Sequence, residues 1–260
     1  MTEDVLLIDV ADSVAIITLN RPQARNALSG ELLGALPKAI TDCESRDDVT
    51  VMILTGTDPA FCAGLDLKEL GSGGGGSLLP GPRQGPLPAR LKPLIGAVNG
   101  PAITGGFELA LACDFLVASD RARFADTHAR VGVQPLWGLT VLLPQAIGVR
   151  RAREMSATGN FIDAETALSW GLVNHVVAHD DLLGFCRSLA ADIVGSNAAG
   201  VQRIMATYAE GSMLGPGEAW DLETRAGLDW MMTGGRNLAD DVEQRRQAVV
   251  ERGRAQSTDR

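Results

Sequence analysis

The sequence contains few of the residues that usually hold metals, disulfides or nucleic acids. Its 260 residues include 3 histidines and 4 cysteines. The cysteines form no CxxC pair and the histidines show no ligand spacing, so neither a disulfide scaffold nor a metal site is predicted. Positive charge is also scarce, because 23 basic residues stand against 32 acidic ones and the formal net charge is −9. This balance argues against a broad binding surface for nucleic acid or an anionic membrane.

Long apolar runs and a basic leader are missing as well. The chain begins with Glu3, Asp4 and Asp9 where a secretion signal would carry positive charge, and the apolar run near Ala110 is interrupted by Glu108. We therefore expect neither a signal peptide nor a membrane span. Together with cysteines that suggest no disulfides, this favours a cytoplasmic protein with reduced thiols.

Short β-branched runs alternate with helix-like stretches over the first two thirds of the chain. Strands are predicted at residues 14–19, 49–54, 94–98, 115–117 and 173–177. Helices are predicted at residues 30–46, 106–113, 139–148, 150–158 and 164–170. This alternation is typical of an α/β architecture with a parallel sheet and crossover helices.

The pattern changes after residue 179, where the strand signal ends. Helices are predicted at residues 181–194, 198–210, 217–232 and 238–252. We therefore expect an α/β core over residues 1–180 and a helical region over residues 181–260. One side of the last helix is apolar and needs a partner surface. Residues 71–88 are rich in glycine and proline and predict a mobile loop inside the core.

Two segments combine small residues with the end of a strand or the start of a helix. The first is FCAGLDL at residues 61–67, and the second is NGPAITGGFELA at residues 99–110. Small residues let backbone amides approach a ligand closely, and the free N–H groups of a helix start favour an anion. Each segment alone would also suit an ordinary turn or helix start. Neither matches the glycine spacing of a dinucleotide site or a P-loop.

Taken together, the two segments resemble the paired signatures of the crotonase superfamily, the enoyl-CoA hydratase/isomerase family. The resemblance extends from about residue 14 to about residue 183. It implies an α/β fold built as a crotonase-like spiral of ββα repeats, with a C-terminal helical trimerisation region. Further matches are NRP at residues 20–22, NAL at 26–28, ARF at 122–124, Gly132, Pro135 and WGLV at 170–173.

The resemblance also implies the catalytic groups. The backbone N–H groups of Leu65 and Gly105 would form an oxyanion hole for a thioester oxygen, which requires no polar side chain. Glu108 matches the first of the two glutamates that add water in hydratases of this family. Its place on the first helical turn would also suit a capping carboxylate.

The second glutamate of the family pattern is absent, and His128 stands at its position. A histidine can donate or accept a proton near neutrality, so His128 could share the acid-base work with Glu108. It could equally be a structural residue hydrogen-bonded to Asp126, or Asp126 could be the second carboxylate. In the next stretch, PLWGLT replaces a glycine-rich pattern, so Trp137 is either a wall of the acyl pocket or core packing.

The resemblance places coenzyme A against a short set of residues near the start of the chain. Arg25 and Lys68 are candidates for the phosphates, although exposed cations are usually solvated surface. No separate cofactor is expected, because coenzyme A is part of the substrate. The remaining candidates for contacts to coenzyme A are Ala27, Ala63, Leu65 and Asp66.

The function implied by the resemblance is hydration of a 2-trans-enoyl-CoA to a 3-hydroxyacyl-CoA. An enoyl-CoA isomerase is the alternative reaction, because it needs chiefly one base, and other thioester chemistry can use the same oxyanion hole. A non-catalytic acyl-CoA binding protein, or a structural protein without a site, is the alternative of another class. The family further implies a homotrimer or a dimer of trimers.

Overall fold

The computed structural model of the chain describes residues 4–71, 85–232 and 238–258. Most of the predicted loop at residues 71–88 therefore lies outside the described residues. The strands are β1 (Leu6–Ala11), β2 (Val14–Leu19), β3 (Val51–Gly56), β4 (Leu94–Val98), β5 (Pro101–Ile103), β6 (Phe115–Ser119), β7 (Arg123–Ala125), β8 (Ile162–Asp163) and β9 (His175–Val177). The helices are α1 (Gly30–Ser45), α2 (Leu67–Gly71), α3 (Gly105–Leu111), α4 (His128–Val131), α5 (Leu139–Ile147), α6 (Val149–Thr158), α7 (Ala164–Trp170), α8 (Leu182–Val194), α9 (Ala198–Gly211), α10 (Pro216–Met232) and α11 (Leu238–Thr258).

The larger sheet has the strand order β1-β2-β3-β4-β6-β9. Strands β2, β3, β4, β6 and β9 pair in parallel, which confirms the predicted parallel sheet. Strand β1 pairs with β2 antiparallel and was not among the predicted strands. Its side chains are mostly exposed, as suits an antiparallel edge strand with one face to solvent.

Successive residues of the central strands point to opposite faces of this sheet, and both faces are buried. On one face, Ile16, Ile53 and Ile95 pack with Leu182 and Cys186 of α8. The other face forms the larger core with helices α1, α3, α5 and α7. Because the sheet is covered on both faces, the side chains on both sides of its central strands are apolar, and the strands are continuous apolar runs in the sequence.

A smaller sheet, with the order β5-β7-β8, lies beyond the carboxyl end of β4. Strands β5 and β7 pair in parallel, with Pro101 opposite Arg123 and Ile103 opposite Ala125. Helix α3 begins two residues after β5, and α4 begins three residues after β7. The pairing therefore places the starts of these two helices side by side.

The chain divides into two compact units, residues 1–205 and residues 206–260. The first unit extends beyond the predicted boundary at residue 180, because α8 packs on the sheet and belongs to the core. The second unit contains α10 and α11 and carries exposed apolar side chains at Tyr208, Trp220 and Met232. Among the residues that the structure describes, no helix is long and apolar enough to cross a membrane.

Candidate active site

The pairing of β5 with β7 brings together two segments that lie about twenty residues apart in sequence. The N–H group of Thr104 donates to the carbonyl oxygen of Ala125 at 2.9 Å and extends the ladder by one step. From there the chain enters α3, which carries Glu108 on its first turn, and the other strand runs into Asp126 and His128. Glu108 and His128 therefore face each other although no local sequence pattern links them.

Glu108 is a buried carboxylate whose two oxygen atoms have different partners. Its Oε1 atom accepts hydrogen bonds from the backbone N–H groups of Trp137 at 2.9 Å and Leu139 at 3.4 Å. Its Oε2 atom lies 3.4 Å from Nε2 of His128. Only 2% of the Glu108 side chain is exposed. The backbone contacts hold Oε1 in place and leave Oε2 as the oxygen directed at the imidazole.

His128 lies between Glu108 and Asp126. The Nδ1 atom of its ring is 2.7 Å from Oδ1 of Asp126, on the side of the ring opposite Glu108. The same Oδ1 atom accepts the backbone N–H of His128 at 3.1 Å. Burial by itself would lower the pKa of His128, but the hydrogen bonds and negative charges of Asp126 and Glu108 raise it to about 9. The two carboxyl groups therefore favour the protonated form of the imidazole.

Asp126 is buried as deeply as Glu108, with 2% of its side chain exposed. Burial alone would raise the pKa of its carboxyl group. The hydrogen bond with the side chain of His128, helped by the nearby hydroxyl group of Ser156, outweighs that effect and holds the pKa below its usual range. The cluster thus places one buried imidazole between two buried carboxyl groups, those of Asp126 and Glu108.

The backbone amides of Leu65 and Gly105 are neighbours. A Cβ atom added to Gly105 would lie 3.7 Å from the nitrogen of Leu65, and one added to Gly64 would lie 3.4 Å from the nitrogen of Gly105. Neither amide has a hydrogen-bond acceptor among the described residues. The Gly105 amide belongs to the first turn of α3, where N–H groups have no partner within the helix. Two free donors therefore lie close together beside Glu108.

Glycine is required at two points of this arrangement. Gly64 has a φ of +90°, and a Cβ atom there would lie 2.8 Å from the carbonyl oxygen of Ile103. At Gly106 a Cβ atom would lie 2.1 Å from the carbonyl oxygen of Cys62. The loop that carries Leu65 can approach the start of α3 only because both side chains are absent.

The loop around Leu65 is braced from the segment after β2. Leu28 donates to the carbonyl oxygen of Gly64 at 2.8 Å and accepts from the N–H group of Asp66 at 3.1 Å. The guanidinium of Arg21 bonds Oδ2 of Asp66 at 3.0 Å and also donates to the carbonyl oxygen of Ala27. The hydrogen bond from Arg21 is the main reason why the pKa of Asp66 lies below its usual range. The Leu65 amide is thus fixed on both sides.

The residues predicted to contact coenzyme A lie on this loop and on the segment after β2 that braces it. The N–H group of Ala63 donates to the carbonyl oxygen of Arg25 at 3.0 Å, which joins the two predicted segments. The side chains of Arg25 and Lys68 are exposed, and Ala27 is buried. The structure therefore brings these residues together at one surface beside the two amides.

Trp137 is buried, with 7% of its surface exposed, and belongs to the main core cluster. Its Cζ3 atom would lie only 3.1 Å from a Cβ atom added to Gly105. The ring therefore stands against the start of α3, and its own backbone N–H holds Glu108. Trp137 is both a core residue and a neighbour of the two amides.

Some residues of this site carried no functional signal in the sequence. Thr104 has a φ of 54°, which is rare for a residue with a side chain, and its hydroxyl group contacts that of Thr127. Ser156 reaches Asp126 from α6, about thirty residues further along the chain. Arg21 was recognisable only as part of the NRP match. Backbone strain and contacts between distant residues leave no local pattern that could have revealed them.

The strand-to-helix turns, the two free amides and the buried acid-base pair define an enzyme of the crotonase class. The model of the enoyl-CoA hydratase/isomerase family matches residues 9–256, and the chain belongs to this family. A probable peroxisomal enoyl-CoA hydratase 1 of Arabidopsis thaliana is 44% identical over 213 residues, which are 81% of this chain and 80% of that protein.

Solved structures show the same fold. The crystal structure of an enoyl-CoA hydratase from Mycobacterium smegmatis has a TM-score of 0.74 and 50% identity, covering 88% of this chain and 99% of that one. An enoyl-CoA hydratase from Bacillus anthracis has a TM-score of 0.83 and 30% identity, covering 93% of this chain and 96% of that one. The crotonase fold expected from the two motifs is confirmed.

Proposed function

We propose that this chain is an enoyl-CoA hydratase that adds water to a 2-trans-enoyl-CoA and forms a 3-hydroxyacyl-CoA. The observation that carries the proposal is the separation of 3.4 Å between Oε2 of Glu108 and Nε2 of His128, beside the free amides of Leu65 and Gly105. The relatives that carry the name enoyl-CoA hydratase support the same reaction.

The amides of Leu65 and Gly105 bind the thioester oxygen in this proposal. Attack of water at C3 moves electrons onto that oxygen, so donors placed beforehand stabilise the transition state more than the substrate. Removing one such donor costs about 3 to 4 kcal/mol in the barrier. Both donors are backbone groups, which is why an apolar residue can occupy position 65.

Glu108 and His128 divide the proton transfers. Oε2 of Glu108 takes a proton from water as the water oxygen bonds C3, and the π electrons of the double bond move onto the thioester as an enolate. The enolate then forms its C2–H bond with the proton that leaves Nε2 of His128. The proton on Glu108 passes to His128 across the short gap between them, so both groups return to their starting forms.

Coenzyme A binds along two adjoining segments in this proposal, the one that contains Arg25 and the loop that contains Ala63 and Asp66. The exposed cations at Arg25 and Lys68 lie where the phosphates would need charge, and they compensate locally for the net charge of −9. Ala27 contributes backbone contact, and the ring of Trp137 borders the acyl group.

We also propose that the chain works in the cytoplasm as a homotrimer or a dimer of trimers. The exposed Trp220 and Met232 in the second unit support self-association, because apolar side chains of that size are costly to leave in water. Light scattering coupled to gel filtration tests this part, and a monomeric mass would contradict it.

The reaction is tested by following the absorbance of the enoyl thioester with crotonyl-CoA and longer 2-enoyl-CoAs. We expect wild-type protein to decrease the absorbance of the enoyl thioester over time. We expect Glu108→Gln and His128→Ala to lower the rate of that decrease by about 100-fold or more. His179→Ala is the matched control, because His179 also pairs with an aspartate, Asp58, but lies outside the site. Binding of the thioester without turnover would contradict the hydratase proposal, and migration of the double bond of a 3-enoyl-CoA without hydration would favour the isomerase.

A further inference from the structure

Asp126 contacts the imidazole on the side away from Glu108, and the proposed proton transfers do not use it. Its Oδ1 atom lies 2.7 Å from Nδ1 of His128 and accepts the N–H group of the same residue at 3.1 Å. We propose that Asp126 is a positioning residue, which fixes the ring of His128 with Nε2 towards Glu108 and keeps it protonated as the acid of the reaction. This inference rests on the proposed hydration.

The two contacts of the ring determine which form of the imidazole is present. A carboxylate at Nδ1 requires a hydrogen on that nitrogen, so the neutral ring would present a bare lone pair at Nε2. That lone pair would then face the carboxylate of Glu108 at 3.4 Å, where two acceptors have no proton to share. The imidazolium satisfies both neighbours, because it carries a hydrogen on each nitrogen.

Asp126 is itself held by two restraints. The backbone just before it is held by the bond from Thr104 to Ala125, at 2.9 Å. Its carboxylate closes a short ring with the N–H group of His128, two residues further on, which the length of an aspartate side chain allows. These restraints leave the carboxylate little freedom to turn away from the imidazole.

The charges on this cluster agree with that assignment. Asp126 and Glu108 are the ionisable groups that act on His128, and together they raise its pKa to about 9 against the effect of burial. Glu108 forms part of the reacting pair, whereas Asp126 contacts His128 on the other side of the ring. Removing the charge of Asp126 therefore changes the acid without changing the base.

A purely structural role for Asp126 makes a different prediction. As a turn-forming residue before α4 it would support folding through the N–H group of His128, and its loss would lower stability without moving any pKa. A positioning role instead couples Asp126 to the pH dependence of turnover. The two roles can be separated in a variant that keeps the shape and the backbone hydrogen bond.

Asp126→Asn keeps the size and an acceptor oxygen but removes the charge. We expect the alkaline limb of kcat/KM to move to lower pH by about 1 to 3 units, as for the loss of a contacting charge. At pH 8 this lowers kcat about tenfold, because a smaller fraction of His128 remains protonated, while KM changes little. Asp58→Asn is the matched control, because Asp58 contacts His179 at 2.9 Å away from the site.

A titration of the histidines by NMR gives a readout that does not need turnover. The chain has 3 histidines, and the signal of His128 is assigned by its loss in His128→Gln. We expect the pKa of His128 to fall in Asp126→Asn and to stay near 9 in Asp58→Asn. An unchanged titration of His128 together with an unchanged alkaline limb would overturn the positioning role and leave the hydratase proposal intact. A wild type without hydration activity would overturn the proposed function, and this inference with it.

Discussion

The backbone N–H of Trp137 donates to Oε1 of Glu108 at 2.9 Å and connects the proposed base with the loop before α5. The donor is a main-chain atom of Trp137, so the contact does not depend on the large side chain at this position. It leaves Oε2 directed at His128. Substitution of the ring of Trp137 would therefore leave the donor to Glu108 in place.

The protonated imidazole of His128 should stabilise the fold in a pH-dependent way. Its pKa is raised from 6.5 to about 9 in the folded chain, so this contribution is fully present below pH 6.5 and is lost as the pH rises through 9. We expect the free energy of unfolding of the wild type to exceed that of His128→Gln by more at pH 6 than at pH 10. Urea denaturation at both values measures the difference, and a gap that widens with pH would contradict the charged state of His128.

Gly106→Ala should disrupt the close approach of the two motif segments. A Cβ atom there would meet the carbonyl oxygen of Cys62 at 2.1 Å, and backbone cannot move aside cheaply. We expect a clear drop in melting temperature and loss of turnover. Gly34→Ala is the control, because Gly34 is exposed in α1 and its Cβ atom would meet nothing within 4 Å. That substitution should stabilise the helix by about 0.5 to 1 kcal/mol. Equal melting temperatures for both variants would rule out the steric argument.

Trp137→Ala should widen the range of acyl chains that the proposed hydratase accepts. The ring stands close to Gly105, so its removal opens space beside the thioester, while the backbone bond to Glu108 remains. We expect kcat/KM to rise for longer 2-enoyl-CoAs relative to crotonyl-CoA. Trp170→Ala serves as the control, because Trp170 stacks under Arg151 outside the site. The same chain-length profile in wild type and Trp137→Ala would show that the ring does not border the acyl group.

Arg21→Ala should loosen the loop that carries the Leu65 amide. The guanidinium holds Asp66 at 3.0 Å and the carbonyl oxygen of Ala27, and its loss frees the loop on one side. Small displacements of a catalytic donor cost up to about 100-fold in rate, so we expect kcat to fall more than KM rises. Arg46→Ala is the control, because it removes only the exposed ion pair with Asp48 and should leave turnover unchanged. Normal kcat in Arg21→Ala would remove Arg21 from the support of the site.

Much of the α/β core could be predicted from local sequence pattern. Strand β2 at Val14–Leu19, strand β4 at Leu94–Val98 and helix α7 at Ala164–Trp170 have the predicted bounds. Their apolar runs and flanking turn residues reflect burial on two faces, which is a local property of the chain. Strand β1 was not predicted, because its short apolar run at residues 5–8 ends at Asp9 and its side chains are mostly exposed rather than buried on two faces.

The sequence by itself determined the fold class, the two motif segments and the place of Glu108, because short-range pattern and family motifs specify them. Only the tertiary structure decided that His128 faces Glu108 while Asp126 lies behind it, which sequence reasoning had left open. It also decided that Ser156 reaches the same carboxylate. These contacts depend on the pairing of β5 with β7 and on the packing of α6. Sequence pattern could not reveal them, because they form only when segments that are remote in sequence are brought together by folding.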